Sequence, residues 1–190
     1  MLSLQVLILI WQQHHQFFLR YGLRTTPIMA INTFFLMIVL FYVYPLKFLT
    51  RLILIPVGMI LNKTWLVNEM TQSIQVDQFD DLMVIYGLGA AAIFGLLAMM
   101  YGVALQSAAE LELNSMELLL TRSSRNMNIL LAIVPLLSVA LAWGFESTIL
   151  AGFAYFLYTP VLAWHRRKVK KDRAQLEASL NAASAEITEQ

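Results

Sequence analysis

The chain alternates long runs of apolar residues with short polar stretches. Five runs contain no Asp, Glu, Lys or Arg, and we label them segments A to E: residues 1–19, 26–46, 82–105, 129–145 and 148–164. A membrane-spanning helix needs about 20 mostly apolar residues. The pattern therefore predicts an all-α fold, a multi-pass membrane helix bundle with about five transmembrane helices.

Prolines and polar residues mark the expected limits of these elements. Pro27 suits the first turn of segment B, where a helix needs no N–H donor, and we expect Pro45 to kink or end that helix. The stretch 52–66, which proline, glycine and lysine interrupt, is expected to be interfacial or re-entrant. The connector 106–128 between segments C and D has the pattern of an amphipathic helix.

Composition agrees with a membrane location and argues against an enzyme. Apolar residues make up 59% of the chain and charged residues 13%, whereas soluble domains carry about 25% charged residues. Without cysteine, disulfides and thiol catalysis are excluded. The sequence contains no nucleotide-binding, zinc-protease or serine-hydrolase motif, so we predict neither enzymatic activity nor a cofactor.

Basic residues collect on one side of the predicted topology. The A–B turn, the C–D connector and the region after segment E hold ten of the thirteen: Arg20, Arg24, Arg122, Arg125, Arg166, Arg167, Lys168, Lys170, Lys171 and Arg173. Lys and Arg accumulate on the cytoplasmic side of membrane segments. We therefore predict a cell-membrane protein whose N-terminus is outside and whose C-terminus is cytoplasmic.

The last part of the chain differs in composition from the rest. Residues 1–165 form the predicted transmembrane bundle, and residues 166–190 form a basic and then Ala/Glu-rich cytoplasmic tail. The basic run next to the membrane is expected to stop transfer and to bind anionic lipid. Because the run adjoins the bilayer, a nucleic-acid partner is not expected.

A polar cluster near the end of segment A is the first candidate site. His14 and His15 follow Trp11 by three and four residues, so the three side chains can lie near one helical face. Asn32 lies early in segment B, across a short turn. These four residues either form a polar lock between the two helices or occupy half-solvated, anchoring positions near the membrane interface. A metal site is less favoured, since adjacent histidines diverge on a helix and His165 stands alone.

Small residues in segment C form the second candidate. Gly87, Gly95 and Gly102 are spaced by eight and seven residues, which places them near one face of a helix. Because small residues let helix backbones approach closely in a membrane, we expect these glycines to face other helices.

One stretch resembles a known family. Trp11-Gln-Gln-His-His-Gln-Phe-Phe, Asn32-Thr-Phe-Phe-Leu and Tyr44-Pro-Leu-Lys-Phe-Leu are similar to helices two and three of the prokaryotic relatives of the endolysosomal potassium channel, the transmembrane-protein-175 family. The resemblance is carried by residues 5–50 and implies that segments A to E are family helices two to six. It also implies a homo-oligomer with potassium as the ion.

The same resemblance implies a pore-lining first helix with an Arg-x-x-x-Phe-Ser-Asp signature. This chain has no such motif, so we expect the first pore helix to be missing, through either a truncated gene or a divergent branch. No charged residue lies within the apolar centre of any segment, which disfavours ion-coupled transport. The sequence thus predicts a potassium-channel-like membrane protein that does not conduct alone. A non-conducting scaffold or regulatory subunit is the alternative, and a small transporter is a weaker one.

Overall fold

Helices joined by short turns make up the described parts of the chain. The structure, a computed structural model, describes residues 2–65, 78–145 and 152–188. Within these ranges five long helices follow one another: α1 (Leu2–Tyr21), α2 (Thr26–Ile60), α3 (Gln78–Gln106), α4 (Ser115–Phe145) and α5 (Tyr158–Thr188). A short 3-10 turn, Tyr155–Leu157, precedes α5. No strand occurs in the described ranges, and the predicted all-α class is confirmed.

Three of these helices are long and apolar enough to cross a membrane. The windows are Thr26–Val43 in α2, Val84–Gln106 in α3 and Ser115–Gly144 in α4. Large apolar side chains face outward on them: Phe41 is 78% exposed and Trp143 is 84% exposed. Since soluble monomers rarely expose large contiguous apolar patches, these outer faces fit contact with lipid.

The turn between α1 and α2 is set by a glycine. Gly22 has a φ of +55°, and its N–H donates to Phe18 O at 3.0 Å. This left-handed residue ends α1 in the way glycine commonly caps a helix C-terminus. The chain re-enters helix at Thr26 with Pro27 in the first turn. The short turn makes α1 and α2 antiparallel neighbours.

Of the two alternatives expected at Pro45, an end of the helix is wrong, and a kink stays a prediction. Helix α2 continues through Pro45 and Pro56 to Ile60, so most of the stretch expected to be interfacial or re-entrant belongs to one helix. At 1.5 Å per residue its 35 residues span about 52 Å, which exceeds a hydrocarbon core of about 30 Å. A proline removes one backbone hydrogen bond, and in a membrane neighbouring groups can satisfy the freed carbonyl.

The connector between segments C and D also differs from the expectation. Residues 107–112 form turns, with Glu112 at a φ of 50°, and residues 115–128 are the first half of α4. A reciprocal cap starts this helix: Asn114 N–H donates to Glu117 Oε2, and Glu117 N–H donates to Asn114 Oδ1, both at 2.9 Å. This arrangement is a capping box, which fixes a helix N-terminus. The amphipathic stretch and segment D are therefore one helix.

The end of the chain continues as helix beyond the predicted membrane boundary. Residues 146–151, which include the start of segment E, lie outside the described residues. From Tyr158 onward α5 runs without a break through the basic residues to Thr188. The division of the chain at residues 165/166 stays a prediction.

Helix α3 lies at the centre of the bundle. It packs against α4 and α2 and also touches α1. The largest fully buried side chains in the core include Tyr86, Ile93, Leu97 and Met100 of α3 and Phe17 of α1. This central position makes α3 the helix against which the candidate sites are arranged.

Candidate functional site

The end of α1 and the start of α2 are joined by the polar residues that the sequence singled out. His14 Nε2 donates to Asn32 Oδ1 over 2.6 Å. The His14 ring also stacks on Phe35, with centroids 4.8 Å apart and planes 2° apart, and meets the edge of Phe18. The hydrogen bond and the stacking fix the imidazole from both helices. The predicted proximity of His14 and Asn32 is therefore present in the structure.

The other two residues of the predicted cluster lie apart from this pair. Trp11 and His15 stack on each other with centroids 5.0 Å apart and planes 6° apart. Both side chains are exposed on the outer side of α1. Such an outward-facing pair fits the interfacial anchoring alternative better than a bond between helices. The structure thus divides the four residues into a His14–Asn32 pair and a Trp11–His15 pair.

We expect the His14–Asn32 bond to couple α1 and α2 only modestly. In a double-mutant cycle of His14→Ala and Asn32→Ala, the coupling free energy should be about 0.6 to 1.7 kcal/mol, the range measured between membrane helices. The measurement is the free energy of unfolding of each variant in mild detergent. The pair Gln16→Ala and Asn32→Ala is a control, because Gln16 is an exposed polar residue of the same helix. Equal coupling in both cycles would contradict the lock.

Two hydrogen bonds between distant parts of the chain were not predicted. Tyr21 Oη donates to Thr121 Oγ1 at 2.7 Å. The direction follows because the Thr121 hydroxyl already donates its proton to Glu117 O at 2.6 Å. Tyr42 Oη donates to Tyr86 O at 3.0 Å. Tyr42 lies in segment B and Tyr21 follows segment A, and a buried phenol hydroxyl usually finds a partner. That general rule is the signal in the sequence, but it does not identify the partner.

Three basic regions of the sequence meet at one end of the bundle. The Tyr21–Thr121 bond joins the A–B turn to the start of α4, and Ser123 Oγ lies 3.2 Å from His165 Nε2 at the start of the basic run. The six basic residues 166–173 are all exposed on α5. This end of the bundle is thus the one that carries most of the positive charge.

The glycines of α3 have different surroundings. A Cβ built at Gly87 would collide with a methyl of Val139 and lie 3.0 Å from Pro135 O, both on α4. At Gly89, which is not one of the three predicted packing glycines, a Cβ would collide with the Tyr42 ring of α2. Nothing lies within 4 Å of a Cβ at Gly95 or Gly102. Within this chain, close helix approach is seen at Gly87 but not at the other two selected glycines.

The described residues offer little for metal or acid–base chemistry. In the parts of the chain that the structure describes, no group of three or more His, Cys, Asp or Glu side chains could hold a metal ion. The spans Thr26–Val43 and Val84–Gln106 contain no ionisable acid or base beyond tyrosine. The arrangement is that of packed helices joined by a few polar contacts.

Known potassium channels are similar to this chain in sequence and in structure. No protein-family model matches the chain. The chain is 41% identical over 178 residues to a potassium channel of Marivirga tractuosa, covering 90% of this chain and 72% of that protein. It also matches a crystal structure of the potassium channel MtTMEM175, a threonine-to-alanine variant in complex with a Nanobody-MBP fusion protein. That match has a TM-score of 0.75 and 40% identity, and it covers 90% of this chain and 75% of the other.

Proposed function

Because the chain belongs to the family of prokaryotic TMEM175-like potassium channels, we propose that its helices form the scaffold around a potassium pathway in the cell membrane. The observation that carries this proposal is the 41% identity to a potassium channel across 90% of the chain. The protein would act as a homo-oligomer, since closed symmetric assembly is the common way to surround an axis.

We further propose that these 190 residues do not form a selective potassium pore by themselves. The family resemblance puts the pore lining on a helix with an Arg-x-x-x-Phe-Ser-Asp signature, and that signature occurs nowhere in the sequence. His14 of α1 and Asn32 of α2 bond each other at one end of these helices, so this pair does not supply ligands spaced along an axis. Ion selectivity needs rings of carbonyls or charges, or a hydrophobic constriction, around such an axis.

Potassium flux in liposomes tests both proposals. We expect purified chain, reconstituted with a potassium gradient, to give flux no faster than empty liposomes. Fusing a helix with the Arg-x-x-x-Phe-Ser-Asp signature before Met1 should produce flux that favours potassium over sodium. A control fusion with the Phe-Ser-Asp residues scrambled should stay silent.

The outcome of this flux experiment distinguishes between the proposed functions. Selective potassium flux by the unfused chain would contradict the proposal and mean that other helices line the pore. Silence of every fusion would favour the alternative reading, a non-conducting scaffold or regulatory subunit. That alternative draws support from α5, whose mostly exposed residues 166–182 extend past the apolar part of the chain.

We propose that the strongly basic end of the bundle faces the cytoplasm, with the C-terminus. The positive-inside rule supports this orientation, and the chain has no cysteine of its own. In intact cells a membrane-impermeant maleimide should label Glu146→Cys but should label Gln190→Cys only after permeabilisation. Labelling of Gln190→Cys from outside would overturn the orientation.

A further inference from the structure

An open groove lies between α4 and α5 at the basic end of the bundle. Its volume is about 360 Å³. Helix α4 contributes Leu120, Ser123, Ser124 and Met127, which are spaced as one face of a helix. Helix α5 contributes the facing residues His165, Arg166, Val169, Lys170 and Arg173. The volume lies at the lower end of the range of small-ligand pockets, which begins at about 300 Å³.

Two of the three Arg and Lys residues that line the groove have no acidic partner among the described residues. Arg173 Nε is bound by Glu177 at 2.9 Å, so its charge is partly neutralised. Neither Arg166 nor Lys170 forms an ion pair with the described residues, and both side chains are exposed. Two positive charges one helical turn apart suit an anionic group with several acceptor oxygens. The Ser123 hydroxyl opposite them already lies 3.2 Å from His165 Nε2, so the cations are the groups that would hold the anion.

The groove also has an apolar wall. Leu120, Met127 and Val169 line it beside the cations. On α4, Ile129 and Ile133 are 41% and 50% exposed, but at about 100° per residue they lie on the other side of the helix from the groove, so the apolar wall consists of Leu120, Met127 and Val169. Basic pockets between membrane helices recognise lipid head groups in this way. A soluble phosphate ester would use the cations and leave the apolar wall uncovered.

We propose that this groove binds the phosphate head group of an anionic phospholipid, with Arg166 and Lys170 on the phosphate and the apolar wall against the first part of an acyl chain. The site is a defined groove, not a diffuse attraction to the basic run. The proposal does not depend on ion conduction, because lipid binding is measured without measuring ion flux.

The experiment uses the full chain in detergent and the short-chain lipid dioctanoyl phosphatidylglycerol. Binding is read from the rise in the thermal unfolding midpoint over a concentration series, since a ligand that binds the folded state stabilises it. Zwitterionic dioctanoyl phosphatidylcholine and glycerol phosphate, which lacks acyl chains, are the parallel ligands. We expect saturable stabilisation by phosphatidylglycerol, a much weaker effect of glycerol phosphate and none from phosphatidylcholine.

Matched charge removals separate the groove from the rest of the basic run. Arg166→Gln with Lys170→Gln should lower the apparent affinity for phosphatidylglycerol about tenfold or more. Lys168→Gln with Lys171→Gln removes the same charge from the same helix, but neither residue lines the groove, and the loss should stay below about twofold. Equal losses in both double variants, or no binding by the wild type, would overturn the site. If glycerol phosphate bound as tightly as the lipid, the ligand of the groove would be a soluble phosphate ester and not a phospholipid.

Discussion

Phe17→Ala should destabilise the protein more than any other single change considered. Phe17 is fully buried, and its ring meets Tyr21 of α1 and Tyr101 of α3 at centroid distances of 5.0 and 5.2 Å. Truncation removes the Phe17–Tyr101 contact between these helices and leaves a cavity, which costs about 3–5 kcal/mol. The measurement is the free energy of unfolding in mild-detergent micelles titrated with sodium dodecyl sulfate, followed by circular dichroism.

An identical substitution on the outer surface provides the control. Phe41 of α2 is 78% exposed, so Phe41→Ala should change the free energy of unfolding by less than about 0.5 kcal/mol. A comparable loss in both variants would show that Phe17 gains nothing from its protein contacts. It would also contradict the docking of α1 against α3.

The second large effect is expected at the close approach of α3 and α4. Gly87→Ala adds a methyl that overlaps a side-chain methyl of Val139 and crowds the Pro135 carbonyl oxygen. A backbone oxygen can move only with its helix, so the two helices must separate. Overpacking of this kind costs about 1–3 kcal/mol, and we expect a loss in that range in the same unfolding assay.

Gly95→Ala is the matched control on the same helix. No atom lies within 4 Å of its added methyl, and alanine favours helix over glycine by up to about 1 kcal/mol. Its stability should therefore be unchanged or slightly raised. A loss at Gly95 as large as that at Gly87 would mean that a second copy of the chain packs against that position.

Much of the fold could be predicted from the order of residues along the chain. The charge-free runs of segments B, C and D fall within α2, α3 and α4, because apolar length alone determines whether a helix can span a bilayer. The family prediction from residues 5–50 is confirmed at the level of a TMEM175-like channel. The absence of the first pore helix stays a prediction.

Helix ends were less predictable than helix centres. Helix α2 continues through Pro45, and the second half of the connector joins segment D in one helix that begins at the Asn114–Glu117 cap. Local propensity places a break at such positions, and tertiary packing can override it. The Asn114–Glu117 cap is a residue pair three apart, a spacing that is typical of a helix N-terminus.

In the candidate site too, contacts between residues close in sequence were predictable, whereas contacts between residues distant in sequence were not. The sequence by itself determined that the protein belongs in a membrane. It also predicted that His14 or His15 lies near Asn32 or the A–B turn, since a short turn makes consecutive helices antiparallel neighbours, and the structure places His14 there. Only the tertiary structure decided that Tyr21 bonds Thr121, a hundred residues away, that Gly87 and not Gly95 meets α4, and that α4 and α5 enclose a basic groove. Helical spacing specifies which residues share a face, whereas the partner of that face depends on how helices distant in sequence rotate and pack against one another.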